Sequence, residues 1–132
     1  MRYFIELSYN GKEYHGWQNQ PNDISVQEVI EKALSLILKE KIAIVGAGRT
    51  DTGVHALQMF AHFDTDVVFS EDELVFKLNS FLPKDVAIFK IYKVKAEAHA
   101  RFDATSRTYR YRIALRKNAF NFENAYLLIN VL

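Results

Sequence analysis

Two serines each stand three residues before a glutamate, Ser25 before Glu28 and Ser70 before Glu73, and these pairs constrain the fold more than any other feature. A serine hydroxyl followed by an acid at that spacing satisfies the first free amides of a helix, the capping-box arrangement. Apolar residues then recur at helical intervals: Val26, Val29, Ile30, Ala33, Leu34 and Ile37 after the first box, and Leu74, Val75, Leu78 and Phe81 after the second, where Pro83 ends the run. Segments with strand character surround both helices. Tyr3, Ile5, Leu7 and Tyr9 alternate, with Asn10-Gly11 as a turn signal; Ile42 to Val45, Leu57 to Phe63 and Val86 to Val94 follow. A further strand is expected from Tyr109 to Leu115, with Tyr109, Tyr111 and Ile113 on one face and Arg110 and Arg112 on the other.

Through Val94 the order is βαββαβ. That order predicts an α+β, ferredoxin-like domain: an antiparallel sheet with both helices on one face and the other face free for a ligand. At 132 residues and 49% apolar content the chain can bury one core, with no room for a second full domain. We expect residues 1–95 to form this domain and 96–132 a linker with the first strand of another. With no cysteine, disulfides and thiolate metal sites are excluded. Neither a secretory leader nor an apolar run of membrane-spanning length is present, so a soluble, cytoplasmic protein is expected.

Fold does not decide function, since this topology carries many activities. The basic-Gly-aromatic-Gly signature of the RNA recognition module is not found. Charge says more. Between Lys93 and Lys117 stand eight basic residues and two acidic ones, while the whole chain carries only +1. Phe102, Tyr109 and Tyr111 are interleaved with these arginines, which suits a polyanion that also offers flat rings, namely nucleic acid. The competing reading is a strand edge protected by charge.

Reactive groups crowd together in one stretch, Gly46-Ala-Gly-Arg-Thr-Asp-Thr-Gly-Val-His-Ala56. Gly46, Gly48 and Gly53 imply positive φ or close backbone approach. Arg49, two residues before Asp51, is expected to pair with it and hold it ionised in a tight pocket; the alternative is an Asx turn built by Asp51. The glycines do not fit the dinucleotide fingerprint or a phosphate loop. His15, His55, His62 and His99 lack metal-ligand spacing. We expect His55 to orient the loop by hydrogen bonding, His62 and His99 to be structural, and Trp17 to be a packing anchor.

The same stretch resembles the signature of the tRNA pseudouridine synthase A family. Other segments resemble that family in order and spacing: Tyr9-Asn10-Gly11 with Tyr14-His15-Gly16-Trp17-Gln18, Ser25-Val26-Gln27-Glu28, Asn79 to Val86, His99-Ala100-Arg101-Phe102, and Arg107-Thr108-Tyr109-Arg110-Tyr111. The resemblance implies an isomerase that converts uridine to pseudouridine in the anticodon stem-loop region of tRNA, without cofactor or metal. It implies that Asp51 is the catalytic aspartate, Arg49 its partner, and Tyr109 the ring that lies against the target base. Arg101, Arg107, Arg110 and Arg112 are the candidate phosphate contacts. The family implies a homodimer and roughly twice this length, so a fragment, inactive alone, is expected. The alternative function is a non-catalytic RNA-binding module of the same fold.

Overall fold

The computed structural model of the chain describes residues 1–104 and two short strands beyond them, Ile113–Ala114 and Tyr126–Leu127, which pair in parallel. The main body is a four-stranded sheet of β1 (Arg2–Tyr9), β2 (Val45–Gly46), β3 (Ala56–Asp64) and β4 (Val86–Val94), with helices α1 (Val26–Leu38) and α2 (Glu71–Phe81). Its strand order is β2-β3-β1-β4 with every neighbouring pair antiparallel. This is the ferredoxin-like arrangement that the alternation of elements predicts.

Period-two patterning decides which side of the sheet meets the helices. Tyr3, Ile5, Leu7 and Tyr9 on β1, with Met59, Ala61 and Phe63 on β3, are buried. They form one core with Ile30 and Leu34 of α1 and Leu74 and Leu78 of α2. The large apolar side chains among them, such as Ile5, Leu7 and Phe63, each contribute roughly 1.5–3 kcal/mol by leaving water. On β4 the buried Ile88 and Ile91 are three residues apart, because the register shifts: Leu7 faces Ile88 while Glu6 faces Lys90. Phe89 is the inserted residue of this bulge and stands 52% exposed.

Both helices begin as the serines indicate. Ser25 Oγ accepts the Glu28 amide at 3.1 Å and Ser70 Oγ accepts that of Glu73 at 3.4 Å. α1 ends on Lys39 in the left-handed region, φ 59°. At the end of α2, Leu82 turns inward and is buried, whereas Phe81, though at the helical apolar spacing, is 54% exposed.

The segment Ile42 to Val45 is not a continuous strand. Ile42 and Ile44 are buried, but their backbone groups bond to α1 side chains: Ser35 Oγ accepts the Ile42 amide at 2.9 Å, Glu31 Oε2 accepts the Ile44 amide at 2.8 Å, and Gln27 donates to the Ile44 carbonyl at 3.0 Å. Helix side chains thus replace ladder partners until Val45. A similar substitution occurs on β4, where the Asn79 side-chain amide of α2 bonds both backbone groups of Ile88 at 2.8 Å and occupies part of that sheet edge.

The face away from the helices is not wholly free. The turn at 98–103 lies on it and buries His62 of β3, held by Arg2, which bonds the Ala98 carbonyl and grips Asp64 through two nitrogens at 2.8 and 3.0 Å. Of the expected strand Tyr109 to Leu115, Ile113–Ala114 is a strand; the remainder lies outside the described residues.

Candidate active site

The Gly46–Ala56 stretch leaves β2, forms a loop and enters β3, and the segment from Tyr9 to Trp17 lies directly beneath it. Four ties hold the two together, and a fifth fixes the loop to β3. The Tyr9 hydroxyl and Thr50 Oγ1 are 2.8 Å apart, and the Trp17 amide donates to the Thr50 carbonyl at 3.4 Å. The Gly53 amide donates to the Tyr14 carbonyl at 3.1 Å. His55 Nδ1 accepts the Gly11 amide at 2.8 Å, a bond between the loop and the lower segment. At the loop's root the Ala47 amide donates to the Phe60 carbonyl at 2.8 Å.

Close approach requires glycine on the lower segment more than in the loop itself. A Cβ on Gly11 would overlap the Val54 carbonyl, and one on Gly16, which has φ +81°, would overlap that of Thr50. Within the loop, Gly46 makes room for the Trp17 indole, and Trp17 is buried as a packing anchor, stacked on Tyr9. Gly53 has open space around it and is required for its φ of +79°. It lies within a turn that Asp51 opens, since the Val54 amide donates to the Asp51 carbonyl at 3.2 Å.

Two tyrosines anchor this platform. Tyr14 donates to Asp85 Oδ1 at 2.6 Å, and the Asp85 carbonyl accepts the Asn10 amide at 2.9 Å. Burial first, and the Asp85 carboxylate second, push the Tyr14 phenol well above its usual range. Burial likewise raises Tyr9, partly offset by its bond with Thr50. Both therefore remain protonated donors at neutral pH. Asp51 thus sits on a loop braced back to the start of β4.

The carboxylate itself is exposed, as is Arg49, and among the described residues no ion pair joins them. The expected pre-formed pair in a tight pocket is corrected: the loop is rigidly supported, but it presents Asp51 to the outside. Arg49 instead lines a cleft of about 200 Å³ with Gly46, Gly48, Trp17, Gln27 and Arg101. The structure thus brings together two candidate residues distant in sequence, Arg49 and Arg101. Tyr109, Arg107, Arg110 and Arg112 lie outside the described residues. Among the described residues no group of three or more His, Asp or Glu could hold a metal ion, and no helix is long and apolar enough to cross a membrane.

Sequence reasoning missed the bracing role of Gly11, Gly16, Tyr14 and Asp85. Asn10-Gly11 reads as a turn, and nothing local shows which distant carbonyl approaches a glycine. His62 and His99 are structural, as expected. Burial, then Arg2 and His99, lower the pKa of His62 to about 4.

Fold and loop together define a ferredoxin-like domain that displays a carboxylate on a braced loop beside an arginine-lined cleft. The family model described as tRNA pseudouridine synthase matches residues 7–103. The chain is 55% identical over 130 residues to tRNA pseudouridine synthase A of Parabacteroides distasonis, covering 96% of this chain and 51% of that protein. It is 51% identical over 132 residues to that of Bacteroides fragilis, covering 99% and 52%. A third relative of the same name, from Colwellia psychrerythraea, is 51% identical over 113 residues, covering 86% and 44%. The chain belongs to the tRNA pseudouridine synthase family and spans about half the length of the curated relatives it matches.

Proposed function

We propose that this chain supplies the catalytic loop for isomerising uridine to pseudouridine in tRNA, with Asp51 as the carboxylate that acts on the target nucleotide. The observation that carries the reading is the placement of Asp51. It is exposed at a turn whose flanks are bonded to Tyr9, Gly11, Tyr14 and Trp17, so an outward-facing group is held at a fixed site. Chemistry on a base requires the nucleotide to leave its stack and come to the enzyme, and a carboxylate displayed on a braced loop suits such a substrate. Bound RNA then supplies the shielding that the loop lacks, and shielding strengthens every charge interaction there.

Asp51 can act at the sugar, at the uracil ring or as a proton acceptor. The reaction is an intramolecular, redox-neutral rearrangement in which the glycosidic bond to nitrogen breaks and one to carbon forms. Arg49 and Arg101 supply positive charge along the adjoining cleft, and Arg107 and Arg110 extend the basic block. Tyr109 stacks on the target base, a contact worth about 1–3 kcal/mol. Action in the anticodon stem-loop region, a homodimeric assembly and a cytoplasmic location belong to the same proposal.

The experiment replaces the matching half of the Parabacteroides distasonis relative with this chain and follows tritium release from tRNA labelled at C5 of uridine. Release by the chimaera is expected. A chimaera that binds tRNA but releases nothing would leave the non-catalytic RNA-binding module as the better account.

A further inference from the structure

The turn that carries Arg101 is held by two imidazoles. His62 Nδ1 accepts the Ala100 amide at 3.0 Å, and His99 Nδ1 accepts both the Arg101 amide at 3.2 Å and the Phe102 amide at 3.1 Å. Three consecutive backbone donors thus end on ring nitrogens. The rings meet edge to face with centroids 4.5 Å apart, and Phe102 stacks on the outer side of His99 at 3.9 Å. Asp103 closes the turn by accepting the His99 amide through Oδ2 at 2.7 Å while its own amide donates to the His99 carbonyl at 2.9 Å. Ala100 is buried against His62, and the next side chain, Arg101, reaches the cleft that Arg49 also lines.

We propose that His62 and His99 are positioning residues which, as neutral imidazoles, clamp the 100–102 backbone and so set Arg101 beside Arg49 to hold a phosphate of the RNA strand. The phosphate part rests on the function proposed above; the clamp does not. An accepting Nδ1 puts the ring proton on Nε2, and a proton added at Nδ1 turns the acceptor into a donor facing an amide. Protonation therefore opens the clamp.

The groups around His62 favour its neutral form. Arg2 from β1 and His99 from the turn oppose a positive charge; Asp64 from β3 favours it, but Arg2 already grips that carboxylate, and Phe4 and Val45 on the flanking strands are uncharged. His62 is also buried, and burial is the largest influence. The bond from the Ala100 amide to His62 is then closed at neutral pH and opens as pH falls toward 4.

Two readouts on the chain test this. The amide resonance of Ala100, followed by NMR from pH 7 to pH 4, is expected to shift with a midpoint below that of a free histidine, while the Gly53 amide, which donates to a backbone carbonyl, stays in place. An Ala100 amide that does not move over this range would overturn the clamp. The second readout is the salt dependence of binding to bulk tRNA at pH 7. One lost phosphate contact lowers the slope of log K against log salt by about 0.7–0.9. Arg101→Ala and His62→Phe are each expected to lose that much, the double variant no more than either, and His62→Asn, which keeps an acceptor, is expected to recover part of it. Additive losses in the double variant would refute the positioning role. A chain that binds no tRNA would refute the phosphate role, with the NMR titration still deciding the clamp and the chimaera still deciding the function proposed above.

Discussion

Replacing Gly11 with alanine separates the position of the Asp51 loop from its chemistry. The added Cβ would lie 2.6 Å from the carbonyl carbon of Val54 and 3.1 Å from its nitrogen, and closer still to its oxygen. Non-bonded carbon contacts settle near about 3.5–4.0 Å, so the loop must retreat by roughly 1 Å. No rotamer can absorb the overlap, because every atom met is backbone. Overpacking of this kind costs about 1–3 kcal/mol. Weakening the bond from the Gly11 amide to His55 adds about 1 kcal/mol. Together these place the loss of stability near 2–4 kcal/mol, readable as a lower urea midpoint of the chain. A 1 Å displacement at a reacting group costs on the order of 100-fold in rate, so tritium release by the chimaera should fall by about that factor. Gly53→Ala is the contrast: it meets no atom within 4 Å and suffers only from its φ of +79°. Its cost should be about 1–2 kcal/mol. A Gly11→Ala variant with an unchanged urea midpoint and full turnover would refute the view that the lower segment sets the loop's place.

Asn79→Leu leaves the amide and carbonyl of Ile88 without the side chain that bonds them, and the urea midpoint should report a loss of about 2–3 kcal/mol. His62 gives stability an acid dependence: its folded pKa lies below the unfolded value, so the unfolded chain takes the proton first. Its contribution is constant above pH 6.5 and is lost as pH falls toward about 4, to an extent on the order of 3 kcal/mol. Urea midpoints at pH 7 and pH 4 should therefore differ less in His62→Phe than in the parent chain. Lys39→Gly removes a left-handed residue at the end of α1 and should raise stability by about 1 kcal/mol, measured the same way.

Local patterns made most of the fold legible. Capping boxes and period-two alternation act within a few residues, so both helices, β1, β3 and β4 appear where the sequence predicts them. The short β2 does not, because Glu31, Gln27 and Ser35 bond the backbone of Ile42 and Ile44 from across the core, and such a substitution leaves no periodic trace. The site divides in the same way. The glycine stretch marks the loop, and His55 bonds it to Gly11. Yet proximity in sequence misled for Arg49 and Asp51: two residues apart, they form no pair among the described residues, and Arg49 shares a cleft with Arg101 from fifty-two positions away. Gly11 and Gly16 brace the loop through carbonyls some forty residues distant in the chain, a relation that only the folded structure displays.

Asp51→Asn in the chimaera decides whether the carboxylate does the chemistry, because it removes the charge while keeping the shape of the side chain and leaves the loop's bond through the Asp51 carbonyl in place. Single-turnover tritium release from labelled tRNA should disappear, while tRNA affinity, measured in parallel at fixed salt, stays within about threefold of the parent, since the phosphate contacts are untouched. Turnover at a rate comparable to the parent would contradict the account and remove Asp51 from the chemistry.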